Sequence, residues 1–133
     1  MTYLLDTNAC IGYLNGRAAG VRSRMESLPP SEVVLCSVVK AELFYGVMKS
    51  DNPTVTLARY QWFTSQFLSL AFDDAAAEEY GRLRAFLAKQ GTLIGPNDLL
   101  IAAIALAHNV TLVTHNTREF KRIPDLSLED WQA

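Results

Sequence analysis

Four carboxylates, with the polar residues beside them, are the groups in this sequence that could do chemistry. Asp6 follows the short apolar run Tyr3-Leu4-Leu5, and Asp98 follows Gly95-Pro96-Asn97 at the head of a long apolar stretch. Glu42 stands among mostly apolar neighbours (Val38, Val39, Leu43, Phe44), and Glu119 comes one helical turn after Thr114-His115-Asn116. Singly, each has an ordinary explanation, Asp6 and Asp98 as helix caps and Glu42 as a solvent-facing helix residue. Carboxylates that share one crevice, however, repel each other unless a positive charge sits between them. Hard oxygen ligands in small number select Mg2+, with Mn2+ able to substitute, and such ions keep waters and bind phosphates. A site of this kind supports phosphodiester hydrolysis. The residues alone reach an acidic Mg2+ site for phosphoryl chemistry; they name no substrate.

Positioning these acids requires strands that end at them. Short apolar runs predict strands at 2–5, 33–36, 69–72 and 111–114, with 126–128 as an added edge. Between them, helices are expected from Thr7 to about 15, with Thr7 as cap, and from about 18 to 28, where Pro29-Pro30 stops the chain. Ser37 should cap a helix whose Val39, Leu43 and Val47 recur every four residues. Pro53 opens another, carrying Leu57, Tyr60, Phe63 and Phe67 on one face. Asp73-Asp74 mark a helix N-terminus and Gly91 its end, with Tyr80, Leu83 and Leu87 inward. Residues 99–107 are apolar on every face, so that helix is buried all round, and Asn109 can end it in a left-handed cap. Strand–helix alternation predicts one α/β domain over 1–133, a central, mostly parallel sheet of four to five strands with helices on both faces. Ligands of such sheets bind beyond the carboxyl ends of the strands, where the strand order switches.

The chain has 133 residues, 50% hydrophobic and 20% charged, which excludes a disordered protein. No apolar run reaches the ~18 residues that span a bilayer, and the first six residues carry no basic segment. A cytoplasmic protein without membrane association is expected. Twelve basic against fourteen acidic residues argue against a protein that coats long nucleic acid. Local basic clusters remain, Arg17, Arg22 and Arg24 in one and Arg118, Lys121 and Arg122 in another, although each also reads as a solvated helix face. Cys10 and Cys36 are too few for a disulfide framework, and with His108 and His115 they do not make a zinc site.

The acids and their surroundings resemble the motifs of the PIN-domain ribonucleases, most closely the VapC toxins of bacterial toxin–antitoxin pairs. Leu4-Leu5-Asp6-Thr7-Asn8 is similar to the opening motif, Ala41-Glu42-Leu43-Phe44-Tyr45-Gly46 to the second, and the stretch from Ile94 to Ala103 around Asp98 to the third. Leu112-Val113-Thr114-His115-Asn116-Thr117-Arg118-Glu119-Phe120 is similar to the last. The resemblance covers nearly the whole chain and implies a PIN-like fold. It implies Asp6 and Asp98 as metal ligands, Glu42 as the acid that completes the pocket or orients water, and Thr7, Asn8, Thr114 and Asn116 as supporting residues. Many relatives carry an acid where Asn116 stands, which leaves Glu119 as the fourth acid or the site with three. The implied activity is a Mg2+-dependent endoribonuclease toxin acting on structured RNA. A tRNA is the expected target, the initiator tRNA first, with inhibition of translation as the outcome. A protein antitoxin would cover the site, with a basic side chain near the acids. Arg17, Arg22 and Arg24 are expected to hold RNA phosphates. Phe44, Tyr45, Trp62, Phe63 and Phe67 are more large apolar side chains than a small core needs, and with the resemblance they predict a tight partner and a homodimer.

Two other readings share the expected architecture. A phospho-receiver domain would use Asp73, after strand three, as phosphoacceptor, but this sequence lacks the acidic pair after strand one and a late-strand lysine. A PIN-like scaffold without activity would act only through partners.

Overall fold

Tyr3, Leu4 and Leu5 are all buried, as are all four residues of Val33–Cys36 and all three of Thr111–Val113. Successive strand side chains point to opposite faces, so strands buried at every position are covered on both sides. The computed structural model, which describes residues 1–132, joins them in one sheet. Its strands are β1 (Tyr3–Leu5), β2 (Val33–Cys36), β3 (Leu68–Leu70), β4 (Thr111–Val113) and β5 (Leu128–Glu129). The order is β3-β2-β1-β4-β5 and every pairing is parallel, with Leu4 facing Val34 on one side and Leu112 on the other. The order reverses between β1 and β4, which puts the switch point at the residues that follow them. A flavodoxin-like receiver would have the order 2-1-3-4-5. That alternative fails on topology.

The helices are α1 (Thr7–Asn15), α2 (Ala19–Ser27), α3 (Ser37–Met48), α4 (Pro53–Thr64), α5 (Asp74–Gln90), α6 (Pro96–Ala107) and the single turn α7 (Thr117–Phe120), with a 3-10 turn at Pro30–Glu32. α6 buries Leu99 and all of Ile101 to Ala105, as its apolar surface requires, and packs on α5, α3 and β4. Asn109 takes the left-handed conformation at φ 52°, and Gly91 ends α5 at φ 68°. No helix among the described residues is long and apolar enough to cross a membrane.

Local details depart from the sequence expectations where long-range pairing decides them. The cap of α1 is Asp6, whose carboxylate accepts the Ala9 N–H at 2.8 Å, and not Thr7, whose hydroxyl is engaged elsewhere. Ser37 is already helical, with Cys36 as the cap residue and no side-chain capping bond. The third strand stops at Leu70 and not at 72, because its partner β2 ends at Cys36, opposite Leu70. The fifth begins at Leu128, opposite Leu112. Phe67 lies beyond the end of α4, its ring 5.2 Å from that of Phe63.

The end of the described chain is fastened to α2. A Cβ on Gly20 would lie 1.9 Å from the Trp131 carbonyl oxygen, so only glycine allows this approach. Trp131 is buried against Tyr3, with ring centroids 5.3 Å apart, and the Arg24 guanidinium lies over both rings.

Candidate active site

Asp6 leaves β1 at the switch point and is 6% exposed. One carboxylate oxygen is taken by the Ala9 N–H. The other support is Thr114, which leaves β4 beside it. The Asn116 N–H donates to the Thr114 hydroxyl oxygen at 3.0 Å, so the hydroxyl's own proton is left to bond Asp6. Burial raises the Asp6 carboxyl above its usual range; the Thr114 and Ala9 bonds oppose that, and the charges of Glu42 and Asp130 add to it.

Glu42 sits in the second turn of α3, half-buried, with each oxygen held from a different helix. The Thr7 hydroxyl of α1 donates to Oε1 at 2.5 Å, and the Asn97 amide of α6 donates to Oε2 at 3.3 Å. Asp98 lies in the first turn of α6, also half-buried. Burial first, then the charges of Asp6, Glu42 and Glu119, push its carboxyl up to about 6. Asp98 therefore feels the charges of the other three acids, and Asp6 feels that of Glu42. Glu119, on α7, is positioned by Asn116, whose side-chain amide donates to Oε2 at 3.0 Å.

Among the described residues, no lysine or arginine pairs with any of these four acids. The ion pairs are Arg24–Glu129 and Arg82–Glu79, while His108 and His115 lie beside Asp73 and Asp130. Four oxygen-bearing side chains without a cation are a donor set that fits Mg2+ or Mn2+. No three acid, histidine or cysteine side chains of the described residues already enclose a metal position. The fit is one of charge and ligand type.

The other expected site residues separate. Asn8 and Arg17 line one cavity with His115 and Asn116. Arg22 lies over the Tyr13 ring at 5.1 Å and donates to the Tyr13 carbonyl. Arg24 pairs with Glu129 at 3.3 Å. Two residues apart on a helix, Arg22 and Arg24 point to opposite sides, so the three arginines do not form one patch. Of the apolar set, Phe63 is fully buried and Phe67 half-buried, whereas Phe44, Tyr45 and Trp62 are exposed. A cavity of about 200 Å³ between α1, α3 and α4 has Leu14, Leu43, Val47 and Tyr60 in its wall and Glu42 at its edge.

Sequence reasoning missed two participants. Asn97 was visible as a neighbour of Asp98 within the third motif, but its bond to Glu42 spans 55 positions. Asp130 faces Asp6 only because β5 pairs with β4, which no local signal gives.

The PIN-domain family profile matches residues 3–126. The chain is 42% identical over 132 residues to Ribonuclease VapC2 of Rickettsia felis, and 41% identical over 131 residues to the tRNA(fMet)-specific endonuclease VapC of Shigella flexneri. Each alignment covers 98% of both proteins. The crystal structure of VapBC2 from Rickettsia felis bound to a DNA fragment from its promoter superposes with a TM-score of 0.91 at 41% identity, over 98% of this chain and 99% of that one. With its acids at the switch point and its whole length aligned, this chain belongs to the PIN-domain family, among the VapC ribonucleases of the VapBC toxin–antitoxin systems.

Proposed function

We propose that this protein is a Mg2+-dependent endoribonuclease toxin, with residues 1–133 acting as one domain, that cleaves a structured RNA and so inhibits translation. The observation that carries it is a set of four carboxylates with no lysine or arginine partner, where burial first, and then the charges of Asp6, Glu42 and Glu119, push the Asp98 carboxyl up to about 6. Asp6 and Asp98 would hold the ion, which supplies charge neutralisation at the phosphate and an activated water. Glu42, clamped by Thr7 and Asn97, has both oxygens fixed and so can orient a water at a set angle. Thr114 fixes Asp6, and Asn116 fixes Glu119, which supplies the charge that Asn116 itself lacks. Asn8, one residue past Thr7, supports the mouth of the site from the first turn of α1. Arg17 is the phosphate contact of the basic cluster, since Arg22 and Arg24 are engaged within the chain.

The name of the Shigella relative makes the initiator tRNA the first substrate to test. The protein, purified and freed of any antitoxin, should cut unfractionated tRNA at a discrete position with Mg2+ or Mn2+ and not with EDTA. Cleavage that survives exhaustive chelation would remove the metal. No cleavage of any RNA with all four acids intact would favour the inactive scaffold.

The solved relative is a VapBC complex, which supports an antitoxin partner. The cavity at α1, α3 and α4, with exposed Phe44, Tyr45 and Trp62, suits an apolar segment that brings one basic side chain to Glu42. The same surface suits a second copy of the chain, and light scattering should find a homodimer. A monomer that ignores the product of the neighbouring reading frame would overturn both. The absence of a membrane-spanning helix among the described residues fits action in the cytoplasm.

A further inference from the structure

We propose that the cavity lined by Asn8, Asn15, Arg17, His115, Asn116 and Gln132 is the subsite for one unstacked nucleotide flanking the cleaved bond, with His115 stacking on its base and Arg17 holding its phosphate. The inference rests on the RNA-cleaving reading above. It assigns a role to His115 and Gln132, which the acid cluster does not use.

The cavity is about 500 Å³, within the roughly 300–1,000 Å³ of small-ligand sites. Ile11, Gly12 and Ala18 add small or apolar surface, and no carboxylate lines it. It nevertheless adjoins the acids on two sides, since the Asn116 amide holds Glu119, and Asn8 follows the threonine that holds Glu42. A polyanion bound over the carboxylates must continue onto a surface free of negative charge. This cavity, with Arg17 and no carboxylate in its lining, is such a surface, the nearby Asp130 carboxylate being bonded to His115.

Its two cationic or aromatic side chains are differently prepared. The Arg17 guanidinium has no hydrogen-bond or ion-pair partner among the described residues, in contrast to those of Arg22 and Arg24. It can meet a phosphate without breaking an existing bond. His115 is pinned instead. Its Nδ1 lies 3.0 Å from Asp130 Oδ2, and Asp130 Oδ1 accepts the Gln132 N–H at 2.9 Å. The side chain stays 62% exposed, so an oriented ring faces solvent at the cavity wall. Sequence-selective RNA recognition uses unpaired bases stacked on such rings, histidine included, with amides reading the base edges. A ring already fixed loses little further freedom on stacking.

The test is binding of unfractionated tRNA to the protein carrying Asp98→Asn, which leaves the substrate uncut, by fluorescence anisotropy over a range of salt. His115→Ala should weaken binding about tenfold, the order of one lost base stack, while His115→Phe, which keeps a flat ring, should retain it. Arg17→Ala should weaken binding and reduce the salt slope by about one. His115→Ala and Arg17→Ala binding like the parent would overturn the subsite, as would His115→Phe binding as weakly as His115→Ala. Failure of the unmodified protein to cleave tRNA with Mg2+ would instead overturn the RNA-cleaving reading, which separates the two.

Discussion

Asp6 and Asp73 share a local design. Each follows a strand, and each closes the first turn of a helix, Asp6 accepting the Ala9 N–H at 2.8 Å and Asp73 the Ala76 N–H at 2.9 Å. Their surroundings differ. Asp73 follows β3 at the sheet edge, is exposed, and has His108 Nε2 at 3.3 Å. Asp6 follows β1 at the switch point, is buried, and has acids for neighbours. The cap is thus a property of the turn, whereas the site is a property of where the strand order reverses. Capping alone would have marked both aspartates equally.

The sharpest way to break this comparison is to remove each carboxylate. Asp6→Ala, Glu42→Ala and Asp98→Ala should each lower tRNA cleavage by at least about 10²–10³-fold, the scale of losing a transition-state charge contact, and the amide variants should do nearly as much damage. Asp73→Ala should cleave at the wild-type rate and lose about 1 kcal/mol of stability with its cap. A rate loss in Asp73→Ala comparable to that of Asp6→Ala would dissolve the distinction. A smaller effect is expected one step out. Thr7→Val and Asn97→Ala each free one oxygen of Glu42, and each should cost about 10-fold in rate, as loss of outer partners does, with little change in melting temperature.

The acid crevice should also announce itself in the pH dependence of stability. Asp98 holds its proton more tightly in the folded chain, at about 6, than at its ordinary 3.8. Between those values the folded state binds more protons than the unfolded one, so the metal-free protein should lose stability as pH rises from about 4 to about 6 and change little through this group above that. Melts in EDTA across that range check it. Stability rising through the window would contradict the raised Asp98 carboxyl. The smallest effect on RNA belongs to Arg24, which is engaged with Glu129 and with the Tyr3 and Trp131 rings; Arg24→Ala should cost about 1–2 kcal/mol of stability and leave RNA affinity unchanged.

Much of this was legible in the sequence because it is local or periodic. The four buried residues of β2, the all-apolar α6 and the stops at Gly91 and Asn109 follow from composition and turn chemistry, and the PIN motifs pointed to Asp6, Glu42 and Asp98. Cap identity was less legible. Thr7 and Ser37 are both good capping types, yet the hydroxyl of Thr7 is spent on a glutamate 35 positions away. The ends of β3 and β5 are set by their partners β2 and β4 and not by their own residues. Clustered basic residues were the least informative signal. Arg17, Arg22 and Arg24 are close in sequence, but Tyr13 and Glu129 draw two of them away.

The central claim is that Asp98 belongs to a carboxylate cluster that is incomplete without a cation. Thermal melts of the wild type and Asp98→Asn, in EDTA and in saturating Mg2+, test it most directly, because Asn preserves the shape of Asp, which caps no backbone N–H here, while removing one repelling charge. The account predicts that in EDTA at neutral pH the variant melts at or above the wild-type temperature, and that Mg2+, which binds the folded site, raises the wild type more than the variant. A variant clearly less stable than the wild type in EDTA would make Asp98 a structural residue and contradict the metal-site assignment.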